Sequence, residues 1–474
     1  MKNHRRTPGS GWGRGGRFAA AALLACAPMV ASCDVKQELL APQQPGTLLP
    51  GDIAASGAAG AQALRIGAIG GLQAFVGGGN GNQENLWMLS DLLTDVWKSG
   101  DTFLQRNETD QRAIQSNNGV WGSAYQTAQR ARGFARDAAA ALAASLTDQP
   151  GEQGEMWFII GLTEKEISQD FCSGIPFGLT VGGVPQYQAP ITNDAGFQLA
   201  ITHLDSAIAL SGGTDSVAPR TKQAALVAKA EALVDLGKFA EAAALVPESA
   251  VPTDFQYSMT FSQPTVSNEI WTLNAKQSSA RYVVGDSFDL SGRINNALPF
   301  ASAKDPRVPI SGGSSSNASK PAIDKSTPWV GAFWTDRGQA LIVVSGLDAR
   351  LIEAEAKLNA NDIAGMMTIL NALRASPPNL GPFTPKAMDA LPAPAAQADA
   401  VTLFFREKAF WQFGRGQRLS DLRRLIRQYG RSADEVFPTG TFHKGGTYSS
   451  DVNAPVPDLE KSNPQFTGCI DRKA

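Results

Sequence analysis

The sequence predicts a mainly α-helical protein made of helical pairs, interrupted by one loop-rich stretch. Apolar residues recur at helical spacing through residues 51–250 and return at that spacing after residue 341. Between them, from about 251 to 340, the periodicity fades and Pro, Gly, Ser and Asn become frequent. That stretch still holds ten aromatic residues, about 11% of its length against 8% for the whole chain, which argues against disorder. A long irregular segment inside a helical protein that keeps its aromatic side chains is the natural place to look for a binding surface.

The first element is a secretory signal. Lys2, Arg5, Arg6, Arg14 and Arg17 come with no acidic residue, and an apolar run of 13 residues follows from Phe18 to Val30. That run is too short to span a bilayer and has the make-up of a signal peptide core. Val30-Ala31-Ser32-Cys33 then resembles a lipobox, in which small residues precede a cysteine that becomes the lipidated N-terminus. Residues 1–32 are therefore expected to be cleaved, Cys33 to carry the lipid, and residues 33–50, with Pro42, Pro45 and Pro50, to form a flexible tether.

A helical region is expected over 51–250. Leu86, Leu89, Leu93 and Val96 share one helical face, as do Trp121, Tyr125 and Ala128. Asn193-Asp194 offers an N-cap for a helix carrying Phe197, Ile201, Leu204 and Ile208. The clearest pair lies at 221–246, where Leu226, Ala230 and Leu233 form one stripe, Leu236-Gly237-Lys238-Phe239 turns the chain, and Ala242 and Leu245 begin another. A second pair carries Leu347, Leu351, Ala354 and Leu358, then an Asn361-Asp362 cap, then Ile363, Met366, Leu370 and Leu373. Helix, short turn and helix with alanines at close approaches resembles a tetratricopeptide unit, although the irregular spacing of the copies argues against a long solenoid. Residues 251–340 are expected to be a loop-rich aromatic segment. Residues 341–474 are expected to be a C-terminal helical region whose tail, from about 431, runs extended past Pro438, Pro455, Pro457 and Pro464.

Composition excludes several function classes. Removing the first 32 residues takes five basic residues away and leaves 37 basic against 44 acidic, so the chain has no electrostatic footprint for nucleic acid. Once Cys26 and Cys33 are accounted for, Cys172 and Cys469 remain. An oxidising compartment permits a disulfide between them, and two free buried thiols are the alternative. Only His203 and His443 lie beyond the signal, which leaves little for a zinc site or histidine acid–base chemistry, and no metal or cofactor is expected. No Gly-x-Ser-x-Gly, His-Glu-x-x-His or P-loop pattern occurs, so the chain is read as a non-enzyme.

The charged block 406–424 is expected to be structural. Val401, Phe404, Lys408 and Trp411 share one helix face, Gly414 and Gly416 break the helix, and Leu419, Leu422, Ile426 and Tyr429 resume a stripe. Glu407 is expected to pair with Arg415, Arg418 or Arg424, while Arg423 and Arg427 point to solvent. Glu353 and Glu355 read as solvated helix positions.

Several blocks together resemble the SusD/RagB family of outer-membrane nutrient-binding lipoproteins. After the lipobox come Phe171-Cys172-Ser173-Gly174-Ile175-Pro176, Leu204-Asp205-Ser206-Ala207, Leu236-Gly237-Lys238-Phe239 and Asp305-Pro306-Arg307. Then follow Ala354-Glu355-Ala356-Lys357-Leu358-Asn359, Leu370-Asn371-Ala372-Leu373-Arg374 and Arg406-Glu407-Lys408-Ala409-Phe410-Trp411 with Gly414, Arg418 and Asp421-Leu422-Arg423-Arg424. Pro455-Val456-Pro457 and Glu460-Lys461-Ser462-Asn463-Pro464 close the series. The resemblance implies a SusD-like fold and a role in capturing an oligosaccharide, or in some members a peptide. It also implies delivery to a SusC-type TonB-dependent barrel in the outer membrane, at the cell surface. Asp34 departs from this pattern, because in some bacteria an Asp after the lipidated cysteine holds a lipoprotein at the inner membrane.

Sugar recognition needs flat apolar faces against the C–H side of the ring and planar polar groups for the hydroxyls. Trp97, Asp101 and Asn107, with Phe103 and Arg106 between them, supply both where helical periodicity lapses; the family takes ligand contacts from the corresponding early loop. Trp271, Tyr282, Trp329 and Trp334 are the candidates from the aromatic segment. The competing readings are a helical lipoprotein scaffold that binds only protein and an exported hydrolase.

Overall fold

The computed structural model describes residues 53, 55–79, 84–181, 184–312 and 320–474. The expected signal peptide, the lipid-bearing Cys33 and the tether lie outside the described residues. Residues 49–474 form one compact unit. Among the described residues no helix is long and apolar enough to cross a membrane.

The chain is mainly helical, and most of its helices pack on a neighbour in sequence. Helices α1 (Ala58–Gly77) and α2 (Leu86–Leu92) lead into a short strand β1 (Trp97–Ser99) and α3 (Leu104–Asp110). Then come α4 (Gly119–Ser145), α5 (Pro150–Asp170), the hairpin β2 (Leu179–Val181) and β3 (Val184–Gln186), α6 (Asn193–Leu210), α7 (Ala218–Asp235) and α8 (Phe239–Leu245). Between α8 and the next helix lie a π-helical turn at Trp271–Ala275, a 3-10 turn at Gln277–Ser279 and short strands that pair only two by two: β4 (Gln256–Met259), β5 (Tyr282–Val284), β6 (Phe288–Asp289), β7 (Gly292–Arg293), β8 (Ile310–Gly312), β9 (Val330–Ala332) and β10 (Leu341–Ser345). Helices α9 (Gly346–Asn359), α10 (Ile363–Ala375), α11 (Gln397–Trp411), α12 (Arg418–Arg427) and α13 (Ala433–Val436) follow, before an irregular tail.

The two anticipated pairs are α7 with α8 and α9 with α10. Asp362 caps α10 by accepting from the Gly365 amide at 2.8 Å. Helix α6 is capped by Thr192 rather than by Asn193-Asp194, with the Thr192 hydroxyl accepting from Ala195 N at 3.2 Å. Asn193 instead donates to the carbonyls of Ser168 (2.7 Å) and Phe171 (3.0 Å) at the end of α5.

Helix α5 is the axis of the molecule. Eighteen of its 21 residues are buried, so it has no solvent face and no amphipathic stripe. Close approach on one side is set by small residues: a Cβ on Gly161 would sit 2.6 Å from Leu204 of α6, and one on Gly154 would sit 2.7 Å from the Ser211 hydroxyl. Several buried charges on α5 are answered from neighbouring elements. Glu155 meets Arg65 of α1 (2.5 Å), Arg220 of α7 (2.9 Å) and the Tyr257 hydroxyl of β4 (3.0 Å). Glu164 bridges Arg132 of α4 (2.6 Å) and His203 of α6 (2.5 Å), and Lys165 meets Glu231 of α7 (2.5 Å). Unpaired, any of these charges would be prohibitive in the interior.

A disulfide between Cys172 and Cys469 ties the end of α5 to the tail, across a Cα separation of 5.9 Å. The tail runs past α5, with bridges from Phe171 to Ala454 and from Ser173 to Asp471.

The 406–424 block is structural, but its partners differ from expectation. Glu407 accepts from Arg307 (2.7 Å) and Arg374 (3.0 Å) rather than from Arg415, Arg418 or Arg424. Arg415 pairs with Asp348 (2.7 Å), and Arg418 grips Asp95 with two bonds of 2.8 and 3.1 Å. Arg424 joins Asp421 (2.6 Å) and Glu355, so Glu355 is a buried partner and not a solvated position, while Glu353 is half-buried beside Arg350 (2.8 Å). Arg423 is buried too. It donates to the carbonyls of Gln169 and Phe171, satisfying groups that the end of α5 leaves open. Arg427 is mostly covered and lies 3.7 Å from Asp235. A helix-face argument cannot see these partners, because they come from segments as much as 323 residues away.

Candidate functional site

The short strands bring the early loop and the aromatic segment together. Strand β1 pairs antiparallel with β5, placing Lys98 opposite Val283 and Ser99 opposite Tyr282. Gly100 N donates to Arg281 O (2.8 Å), Asp324 N to Gly100 O (2.9 Å), and the Lys444 ammonium reaches both Asp101 O and Asp324 at 2.5 Å. Residues 97–107, 280–284, 322–327 and 443–444 thus form one locked patch.

On the Lys98 and Val283 side opens a cleft of about 290 Å³. Val284, Ala301, Ile310, Pro328 and Val330 give it an apolar wall, and the β6–β7 hairpin forms its rim. On that rim Phe288 is 60% exposed and Leu290 75% exposed. The charged groups around it are already engaged. Lys98 faces Asp289 at 3.4 Å, and Asp286 accepts from Ser287 N and the Ser302 hydroxyl. Burial alone would raise the Asp289 carboxyl, but the Ser291 hydroxyl and Lys98 outweigh it and hold the group below its usual range. His443 also lines the cleft, with its Nε2 3.0 Å from Ser99 O and its Nδ1 3.9 Å from Asp110. Asp110 is itself pushed up by burial, against the pull of His443. Such a lining can hold a neutral, partly apolar group without covalent chemistry. Among the described residues no group of three His, Cys, Asp or Glu side chains is placed to hold a metal ion.

The anticipated site residues divide. Trp97, Asp101, Tyr282 and Trp334 come together, but as the packed base of the patch. Trp97 is fully buried between Phe413 (4.9 Å) and Trp334 (6.1 Å), and Trp334 also packs on Phe333 at 4.2 Å, so neither indole has an open face for a sugar. Two glycines allow this packing. Gly414 (φ 74°) would bring a Cβ to 2.6 Å from the Trp334 ring, and Gly416 (φ 70°) to 2.6 Å from Trp87. Tyr282 is fully buried, with its hydroxyl 3.4 Å from Glu84. Asp101 is buried under Arg106 (2.5 Å) and Arg281 (3.0 Å); burial would raise its carboxyl, yet the two guanidinium groups hold it below the usual range. Asn107 is half-buried and accepts from the Ser99 hydroxyl at 2.7 Å. Trp271 and Trp329 remain half-buried, with Trp329 Nε1 donating to Asn274 O at 2.8 Å. The expectation that Trp97, Tyr282 and Trp334 offer stacking faces is corrected here. A strand pairing that joins residue 98 to residue 283 buries one side and leaves the other to Lys98 and Val283. The cleft-lining residues carried one weak signal in the sequence, a pair of apolar side chains flanking Asp289 in a Phe288-Asp289-Leu290-Ser291-Gly292 turn.

Solved structures share this architecture. A SusD superfamily protein from Bacteroides vulgatus superposes with a TM-score of 0.62 at 15% identity, covering 86% of this chain and 98% of that one. A surface glycan-binding protein A from Bacteroides uniformis gives 0.63 at 13% identity, with the same two coverages. A SusD-like carbohydrate binding protein from Bacteroides fragilis gives 0.62 at 12% identity, again covering 86% and 98%. No protein-family sequence model matches the chain. Comparison with curated protein sequences finds no match either. The chain has the SusD-like fold.

Proposed function

On the SusD-like fold, we propose that this chain is a non-catalytic surface lipoprotein. In this reading it captures a glycan on its loop-rich face and passes it to a SusC-type TonB-dependent barrel. The observation that carries this is the cleft beside β1 and β5, where the early loop meets the aromatic segment in a fold shared with carbohydrate-binding proteins. The anchor is Cys33, the membrane is the outer one, and the body works outside the cell. Trp271 and Trp329, half-buried, and the exposed Phe103 are not among the residues that line the cleft, and the reading does not rest on them. Aliphatic side chains dominate the lining, which favours a second reading of the same site: a peptide whose apolar side chain enters between Val283, Ile310 and Val330.

Calorimetry of the full-length protein in detergent against oligosaccharides and short peptides tests both readings. A Phe288→Ala variant should lose roughly 1–2 kcal/mol toward the true ligand. Binding of neither class, or binding that Phe288→Ala and Lys98→Ala leave untouched, removes the cleft from consideration. Cys33→Ser should release the protein from the membrane fraction; if it stays there, the anchor is assigned to the wrong residue.

A further inference from the structure

A second cleft, of about 430 Å³, shares no residue with the one on the loop-rich face. It lies between the C-terminal half of α4, the β2–β3 hairpin and residues 460–463 of the tail. Its rim carries two rings that face solvent, Phe134 at 48% exposure and Tyr187 at 44%. Flat apolar faces of this kind, absent from the base of the first site, are what the C–H side of a sugar ring packs against.

The floor is fixed by Arg132. Its Nε meets Glu164 at 2.6 Å, and its terminal nitrogens donate to Gly178 O (2.7 Å) and Phe177 O (3.2 Å), which hold the base of the hairpin. One turn further along α4, Arg136 also lines the cleft, and its Nε is enclosed without any hydrogen-bond partner. The carboxylate that acts on it is Glu164, and both oxygens of Glu164 are already taken by Arg132 and His203. Burial and the neighbouring Arg132 push the Arg136 guanidinium below its ordinary value. This half-buried cation makes no ion pair of its own among the described residues, so an anion from outside would relieve part of its cost. Around it stand Arg130, Asp137, Thr180 and Gln186, whose side chains have no partner among the described residues and can meet hydroxyl groups. The remaining lining carboxylate, Glu460, is engaged by the Tyr125 hydroxyl at 2.8 Å.

We propose that this cleft is a second saccharide site, selective for a sugar that carries a carboxylate. The carboxylate takes the planar guanidinium of Arg136, with Arg130 in support, and the ring rests on Phe134 or Tyr187. The assignment does not depend on what the loop-face cleft binds.

The test uses full-length protein in detergent and three probes: a galacturonic acid trimer, its methyl ester and a glutamate trimer. The acid trimer should bind at least tenfold more tightly than the neutral ester, which has the same rings. Arg136→Gln and the double variant Phe134→Ala/Tyr187→Ala should each weaken the acid trimer at least tenfold, and Arg136→Lys should recover part of the loss. Phe288→Ala, in the other cleft, should change nothing. Circular dichroism of each variant checks that it is folded, and the exposed Phe134 and Tyr187 can be removed without opening the core. The proposal is overturned if the acid trimer shows no binding, or if ester and acid bind equally. It is also overturned if both sets of variants bind like the parent, or if the glutamate trimer binds more tightly than the uronate, which would mark an acidic-peptide site.

Discussion

At the scale of single residues, the interior of this protein holds many charged groups, most of them in ion pairs. Arg307 is fully buried, flanked by Asp305 (2.7 Å) and Glu407 (2.7 Å), with the Trp411 ring 4.8 Å from its guanidinium carbon. Removing the Glu407 charge leaves Arg307 with Asp305 alone and Arg374 with no carboxylate, which costs less than the roughly 3–5 kcal/mol of a fully uncompensated buried charge, on the order of 2 kcal/mol. Glu407→Gln should therefore lower stability by about that amount in urea titrations, while binding by the folded fraction is preserved; a change below about 1 kcal/mol would show that the pair is not a structural lock. Asp91 behaves oppositely. Burial pushes its carboxyl up to about 8, despite the Gly416 amide that it accepts at 3.0 Å, and its second oxygen has no partner. A carboxyl raised in the folded state favours folding below its unfolded value and loses that favour as pH rises toward 8. In this window stability should fall by up to about 1.4 kcal/mol per pH unit from this group alone. Asp91→Asn should match the parent near pH 4 and be the more stable protein at pH 8, measured by thermal unfolding at both. Parallel pH profiles for the two proteins would refute the assignment.

At the scale of elements, what could be read from the sequence depended on whether an element meets solvent. The pairs α7–α8 and α9–α10 were legible because each exposes one face, so their apolar positions repeat with the helical period. Helix α5 was not legible by that route. It is buried all round, and its Glu155, Glu164, Lys165 and Asp170 look like surface positions until Arg65, Arg132, Glu231 and Ser90 are placed around them. The burial of Trp97 and Trp334 was hidden for a related reason. Trp97 and Trp334 were recognisable as large apolar side chains in a loop-rich context, but which face they take is decided by the pairing of β1 with β5, which no local pattern encodes. Of the exposed rings, Phe103 lies in the early loop that the sequence singles out, whereas Phe134, Tyr187 and Phe288 sit on a helix and at two hairpins where they read as ordinary apolar positions. The disulfide was left open by sequence alone and is a prediction at this scale. It links residues 297 apart, so in the chain-entropy view its loss costs up to about 5 kcal/mol. Cys469→Ser should lower the denaturation midpoint substantially, and reductant should then have no further effect on that variant. If reductant leaves the parent protein unchanged as well, the bond contributes nothing to stability.

At the scale of the whole molecule, residues 51–250, 251–340 and 341–474 look like separate stretches in sequence but share their interior. Strand β4 pairs with β10, β1 with β5, and Arg307 closes on Glu407. The first helical region leaves Asp91, Asp95 and the carbonyls at the end of α5 buried, and each is answered from the last region, by Gly416 N, Arg418 and Arg423 respectively. A fragment holding only 51–250 would expose those groups and the apolar face of α2 that packs beneath Gly416. Its charges would lose their partners, at a cost exceeding the few kcal/mol by which a domain of that size is stable. That fragment should fail to fold, showing little chemical-shift dispersion, while residues 49–474 should unfold in calorimetry as one cooperative transition. Two resolved transitions, or a fragment 51–250 that melts on its own, would mean that the regions are independent domains. The charged network would then be a contact between finished bodies. With a single transition, the loop-face cleft and the α4–hairpin cleft stand on one continuous core, and neither can be softened without lowering the stability of the other.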